Sequence, residues 1–339
     1  MKTLVTGSAG FIAGYLIGDL LAAGHEVVGL DNFTKYGPLE RAFDKNPKFR
    51  GVKGDAKDVG LLKELLADCD HFVAGAEIIG GISLFHERAY DLIAENERIT
   101  ASAFDAAIWA RKDAKLKKIT VVSSSMVFES TNVYPTPEGE ERKSPPPLST
   151  YGFQKLATEY FAKGAWEQYK LPYTIVRPFN CGGVGEKRAL SDKEILSGNV
   201  KLAMSHVVPD LIQKVLKGQD PLHIIGDGRQ VRHYTYGGDL ARGIRMAIES
   251  PSATNEDFNL STAESTTVLD LAEMVWKKIK GDEPFRYVSD TPYTYDVQKR
   301  IPDVGKAKRV LGFEASTSLS EAIDEIIPWI EAQIEVGGI

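Results

Sequence analysis

Short uninterrupted apolar runs alternate, over the first half of this chain, with longer stretches in which apolar residues recur every three or four positions. The short runs have the length of strands buried on both faces, and the longer stretches have the period of helices that cover them. Residues 2–6 (KTLVT) read as the first strand, and Gly7, Ser8, Ala9 and Gly10 follow at once. The helical period then runs from 11 to 23, where Gly24 supplies the stop. A second strand covers 26–30 and ends in Asp31 and Asn32. Further strands are predicted at 49–53, 71–74, 118–122 and 173–176, with helices over 59–67, 91–111 and from about 150 onward. This alternation predicts an α/β fold built on a doubly wound parallel sheet, whose ligand crevice lies outside the carboxyl ends of the strands. Asp31, Asp55, Ala74, Ser124 and Asn180 all fall at such ends.

The opening unit is strand, glycine turn, helix, strand, acid, which is the pattern of a dinucleotide-binding βαβ unit. Gly7 and Gly10 let backbone N–H groups at the helix start approach a pyrophosphate, aided by the helix dipole. Asp31 stands where a carboxylate accepts both ribose hydroxyls and repels a 2′-phosphate, and no arginine follows it closely. The expected cofactor is NAD rather than NADP.

The second chemical unit is the stretch 149–155 (STYGFQK). Pro145, Pro146 and Pro147 close the preceding loop, and Ser149 or Thr150 caps a new helix. Phe153, Leu156, Ala157, Tyr160 and Phe161 recur at helical spacing. Tyr151 and Lys155, four apart, share a face. A cation near a phenol favours the phenolate, so the pair is suited to proton transfer. A second copy, Tyr295 and Lys299, is expected to be accidental, because only Tyr151 opens a helix between two strands of the sheet.

Composition narrows the partners. A net charge of −6 argues against nucleic acid or an anionic membrane surface. Two cysteines, Cys69 and Cys181, build no disulfide framework and suit a reducing cytoplasm. The uncharged run 3–18 is too short to span a bilayer. The six histidines are scattered, and no metal site is expected.

Six stretches together carry a family resemblance: TGSAGFIAG at 6–14, LDN at 30–32, GDAKD at 54–58, SSSMVF at 123–128, YGFQK at 151–155 and RPFN at 177–180. The chain resembles the extended short-chain dehydrogenases/reductases of the nucleotide-sugar epimerase/dehydratase group, and the stretches 226–244 and 300–313 resemble that group's second half. The resemblance implies a Rossmann domain over 1–180 with about 231–260, and a smaller C-terminal α/β substrate domain over 181–230 and 261–339. It implies that Gly7, Gly10, Phe11, Ile12, Asp31 and Asn32 hold NAD, that Asp55 and Ala56 meet adenine, and that Val73, Ala74 and Gly75 line the cofactor groove. Asn96 would orient Lys155 through water. Ala13 replaces the usual third glycine. Ser124, Tyr151 and Lys155 would be catalytic. Ser124 and Ser125 would meet the sugar, Asn180 would bind the substrate, His206 and Val207 would border the nucleotide, and Arg232 and Arg300 would hold ribose and diphosphate.

Ser125 and Met126 stand where dehydratases and decarboxylases of the group carry acids and where two-carbon epimerases carry a cysteine. The expected activity is therefore epimerisation of a nucleotide-diphosphate sugar at C4, through a transient 4-keto sugar. A dehydratase, decarboxylase or reductase on the same scaffold is the alternative, and a non-catalytic NAD sensor a remoter one. Residues 181–198 read as a long loop at the substrate mouth, with Cys181 and Glu186 as lining residues. A homodimer through 91–111 and 151–169 is expected, with Phe104, Ile108 and Trp109 as its apolar residues.

Overall fold

A computed structural model describes residues 1–80, 87–187, 189–190, 194–203, 206–292 and 297–339. Tyr295 of the second Tyr-x-x-x-Lys copy, and Ser205, lie outside the described residues.

The predicted alternation is present. Strand β1 (Lys2–Thr6) leads into α1 (Phe11–Ala22), then β2 (Glu26–Asp31), β3 (Phe49–Lys53), α2 (Val59–Leu66) and β4 (His71–Ala74). Helix α3 (Ala89–Asp113), β5 (Lys118–Val122), α4 (Thr150–Tyr169) and β6 (Tyr173–Pro178) follow. These strands and β11 (Glu256–Leu260) form one seven-stranded sheet in the order β11-β6-β5-β4-β1-β2-β3. All its pairings are parallel. The order reverses direction at β1, between β2 and β4, which creates a switch point where the loops after β1 and β4 diverge. In register, Val5 lies between Gly29 and Val73.

Each face of the sheet is sealed by a separate apolar layer. Leu62, Phe72, Phe104, Ile119 and Ile175 belong to the core under α2, α3 and α4. Leu16, Ile17, Leu20 and Phe258 belong to the one on the opposite face, completed by Leu240 and Ile244 of α6 (Gly237–Glu249). Full burial of each such side chain contributes about 1.5–3 kcal/mol. Ala13 packs against this second layer. A third core joins α5 (Val207–Leu216), α7 (Val268–Lys280) and α9 (Leu319–Glu335) through Leu211, Leu271, Trp276 and Ile323. Strand β9 (Leu222–Ile225) adds Leu222 and Ile224 to it and pairs in parallel with β13 (Tyr287–Asp290). Two short strands, β10 (Val231–Arg232) and β12 (Thr266–Thr267), form an antiparallel pair, and α8 (Gly305–Leu311) packs near β11.

Two expectations change. The stretch read as a plain loop at 181–198 carries a hairpin, β7 (Glu194–Ser197) with β8 (Val200–Ala203). Helix α4 also faces the other way from its apolar pattern. Its buried residues include Gln154, Lys155, Thr158 and Glu159, while Phe153, Tyr160 and Phe161 are exposed by 49%, 58% and 37%. The reason is electrostatic. Arg177, wholly buried on β6, is held by Glu159 through two contacts of 2.7 and 2.8 Å and by Asp257 at 2.8 Å. A buried guanidinium requires carboxylates within reach, and α4 supplies one of them.

Candidate functional site

The glycine turn after β1 is fixed by close approaches. Gly7 has a φ of +73°, and a Cβ there would come within 2.8 Å of the Gly75 carbonyl. Gly10 donates its N–H to the Gly7 carbonyl at 2.9 Å and forms the N-cap of α1 with no side chain over the helix end. Thr6 ties the two loops of the switch point together, its hydroxyl accepting from the N–H groups of Gly75 and Ala76, each at 3.2 Å. The result is a bare helix N-terminus facing the crevice, a geometry suited to pyrophosphate. Asp31 spans the turn's far side. One of its oxygens accepts from the Ala9 N–H at 2.9 Å, the other from the Phe33 N–H at 2.7 Å. Arg41, which sequence reasoning missed, reaches back across the same turn and donates to the Ala9 carbonyl at 3.0 Å.

Around this turn runs one large cleft of about 470 Å3. Gly7, Gly10, Phe11, Ile12, Asp31, Asn32, Asp55, Ala56, Val73 and Gly75 line it at one side. Ser124, Ser125, Tyr151 and Lys155 line it beside β5, and Asn180, His206, Val207, Arg232 and Arg300 complete it. Two expected residues stand elsewhere. Ala74 faces a small secondary cavity beneath α3. Asn96 is wholly buried and clamps the chain after β4, accepting from the Ile78 N–H at 2.7 Å and donating to its carbonyl at 3.0 Å. The Asn96 side chain therefore shapes the loop that carries Glu77.

Of the three consecutive serines, the structure separates the roles. Ser123 donates to Glu159 at 2.7 Å and so belongs to the buried arginine network. Ser124 accepts from the Met126 N–H at 3.2 Å and hydrogen-bonds Tyr151. Ser125, also buried, lines the cleft beside it. Ser149, rather than Thr150, caps α4, accepting from the Gly152 N–H at 3.0 Å. Glu129 in turn accepts from the Ser149 N–H and hydroxyl at 2.8 and 2.9 Å. One oxygen of that acid thus holds the first turn of the helix that bears Tyr151, while the other is buried without a hydrogen-bond partner.

Lys155 donates to the Val122 carbonyl at 2.9 Å, at the end of β5, and to Glu77. Its ammonium lies 5.9 Å from the centre of the Tyr151 ring. Glu77 was invisible to spacing arguments, since it meets Lys155 across 78 positions of sequence. Burial pushes the Tyr151 phenol above its ordinary range, and Glu77 adds to this, while Lys155, Ser124 and Arg300 pull it back. Sequence reasoning expected Lys155 and the nicotinamide charge of NAD together to lower the phenol. The contribution of Lys155 has that sign, but desolvation outweighs it. Burial also penalises the Lys155 ammonium, yet Glu77 and Tyr151 hold it above the usual range.

At the other end of the cleft Asn180, at φ +37°, accepts from Arg300 at 3.5 Å, and its own amide nitrogen is buried without a partner. Such an orphaned donor beside Arg232 and Arg300 suits a phosphate oxygen. Glu186 pairs with His206, the N-cap of α5; burial alone would raise its carboxyl, but His206 and Lys35 hold it below the ordinary value. Burial drives the Cys181 thiol strongly upward, which disfavours its thiolate. Among the described residues no cluster of His, Cys, Asp or Glu is placed to hold a metal. No helix among them is long and apolar enough to cross a membrane.

The sequence profile described as "NAD dependent epimerase/dehydratase family" matches residues 3–261. The chain is similar to a UDP-glucose 4-epimerase of Lactobacillus helveticus, 28% identical with 96% of this chain and 95% of that protein covered. It is 26% identical to a UDP-N-acetyl-alpha-D-glucosaminuronate decarboxylase of Bacillus cytotoxicus, with 97% of each chain covered. Its fold is similar to that of the UDP-glucuronic acid 4-epimerase from Bacillus cereus solved with UDP-glucuronic acid and NAD. The TM-score is 0.82 at 26% identity, covering 98% of this chain and 99% of that one.

Proposed function

Because this chain belongs to the NAD-dependent epimerase/dehydratase family, we propose that it is a nucleotide-sugar epimerase that inverts the sugar at C4. The observation that carries this reading is the hydrogen-bonded pair Ser124 and Tyr151, with Lys155 behind it, in one cleft with the glycine turn and two arginines. NAD, when bound, supplies the hydride acceptor and donor that lets a C4 alcohol become a ketone and revert. The glycine turn and Asp31 fit that cofactor, the first as a cradle for pyrophosphate and the second as an acceptor for ribose hydroxyls.

The chain's own residues account for the proton and for position. Tyr151 removes the proton from the sugar O4–H and later returns it. Lys155 favours the phenolate form through its charge, against the burial that opposes it. Ser124 hydrogen-bonds O4 and steadies the oxygen as charge develops there. Arg232, Arg300 and Asn180 grip the diphosphate, and the sugar turns about that tether between the two halves of the reaction. Ser125 and Met126 supply no further acid or base at the positions beside Ser124, which favours one-carbon chemistry over dehydration or decarboxylation.

The division into an NAD-binding domain over 1–180 with about 231–260, and a substrate domain over the rest, follows the same reading. The protein is proposed to pair through α3 and α4. Tyr90, Phe153, Tyr160 and Phe161 leave large apolar surface on these neighbouring helices exposed, whereas Phe104 lies in the core and Ile108 and Trp109 pack against it. Its two free cysteines suit the reducing cytoplasm.

The test is incubation of NAD-loaded protein with UDP-, GDP-, CDP- and dTDP-sugars, with products read by NMR. A C4 epimer formed without added reductant supports the proposal. A dehydrated or decarboxylated product would replace it with that chemistry, and no turnover of any sugar would leave an NAD-binding protein.

A further inference from the structure

The cleft wall also includes an ion pair that the proposed proton chemistry does not use. Asp210 and Lys214 lie one turn apart on α5, and both border the cleft. Their side chains are only 9% and 3% exposed, and Lys214 Nζ lies 2.8 Å from Asp210 Oδ2. Lys214 also donates to the His223 carbonyl on β9 at 3.0 Å, which fixes the ammonium between helix and strand. Asp210 Oδ1 is buried with no hydrogen-bond partner. A buried charged pair costs desolvation, and an unsatisfied carboxylate oxygen adds to that cost. The apolar contacts of α5 with its core come from Val208, Leu211 and Ile212, so the pair adds nothing to those.

Chemistry supplies a use. Val208, Leu211 and Ile224, which belong to the third core, border the cleft beside the pair. A planar ring entering the cleft along this wall would present its polar edge to an ammonium and a carboxylate side by side. The matching edge is a lactam, in which a ring carbonyl oxygen adjoins a ring N–H. The ammonium donates to the carbonyl and the carboxylate accepts from the N–H. Uracil, thymine and guanine carry that edge. Cytosine and adenine carry an amine beside an unprotonated ring nitrogen, and held in the same orientation as a lactam base they would turn a lone pair toward the carboxylate.

Resting on the nucleotide-sugar reading, we infer that Asp210 and Lys214 read the lactam edge of the substrate's base and reject aminopyrimidine and aminopurine nucleotides. Calorimetric titration of NAD-loaded protein with UDP, GDP, CDP and ADP tests it. UDP or GDP binds at least roughly tenfold tighter than CDP and ADP, the scale of one hydrogen bond to a charged group. Asp210→Asn offers an amide N–H where a carboxylate stood, so the ratio shifts toward CDP. Lys214→Gln lowers UDP and GDP affinity while leaving CDP affinity nearly unchanged. Should both variants fold poorly, the four-nucleotide ratio of the unaltered protein still decides. Equal binding of CDP and UDP, or an Asp210→Asn variant with the original ratio, overturns the inference and leaves the epimerase reading standing. Failure of all four nucleotides to bind overturns both.

Discussion

Replacing Arg177 by methionine tests whether the polar face of α4 is a requirement of the fold. Arg177 meets Glu159 through two short contacts, Asp257 at 2.8 Å and Glu141 at 3.4 Å, with Arg177, Glu159 and Glu141 side chains wholly buried. Methionine fills much of the volume but leaves these carboxylates with Lys163, 3.9 Å from Glu159 and 3.4 Å from Glu141, and Lys306, 2.7 Å from Asp257. Breaking a buried pair by removing one partner costs about 3–5 kcal/mol. At about 2–4 °C per kcal/mol for a large domain, the melting temperature should fall by on the order of 10 °C. The pH dependence has a definite sign. Burial opposes the charge of Asp257, yet Arg177 and Lys306 hold it at about 2. That carboxyl contributes stability above its unfolded value of about 3.9, lost as pH falls toward its folded value. The unaltered protein therefore loses stability between about pH 4 and 2 through this group, and Arg177→Met diminishes that component. Differential scanning calorimetry across this range, with urea titration at neutral pH, reads both effects. An Arg177→Met protein that melts within a degree or two of the original refutes the reasoning.

Three further outcomes follow from the site. Tyr151→Phe keeps the ring but not its titrating oxygen, so turnover drops by roughly 10²-fold or more while folding and NAD binding persist; full activity contradicts the assignment. Glu77→Gln removes a charge that raises the Tyr151 phenol, so the acid limb of the kcat/KM profile and the ultraviolet titration of that phenol both move to lower pH. An unmoved or upward-shifted limb means that Glu77 has no electrostatic hold on Tyr151. Tyr160→Glu places a charge on an exposed aromatic of α4, and in sedimentation the dimer should give way to a 37.2 kDa species; if the unaltered protein sediments only as that species at micromolar concentration, the dimer is excluded.

Six of the sheet's seven strands were legible because most are short apolar runs ended by glycine or polar residues, and a strand buried on both faces needs no alternation; β11 (EDFNL), with three polar residues, was not read from the sequence. The glycine turn, Asp31 and Tyr151 were legible because their chemistry depends on neighbours in sequence. Contacts made across the fold were not. Glu77 reaches Lys155, and Glu159 reaches Arg177, through packing that no local period records. The apolar spacing of α4 did not mark its buried face, since Phe153, Tyr160 and Phe161 are exposed while Lys155 and Glu159 are buried beside Ala162 and Ala165. The hairpin at 194–203 was hidden for a different reason: its first strand is largely exposed, so it has little apolar pattern to show.

The central claim is that hydrogen leaves C4 and returns to the same carbon. A nucleotide sugar deuterated at C4 and incubated with the NAD-loaded protein tests this directly, with label followed by NMR and absorbance followed at the NADH band. The account predicts a mixture of C4 epimers that both retain deuterium at C4, with no net accumulation of NADH. Deuterium lost to solvent, or NADH formed in step with sugar consumed, would contradict it.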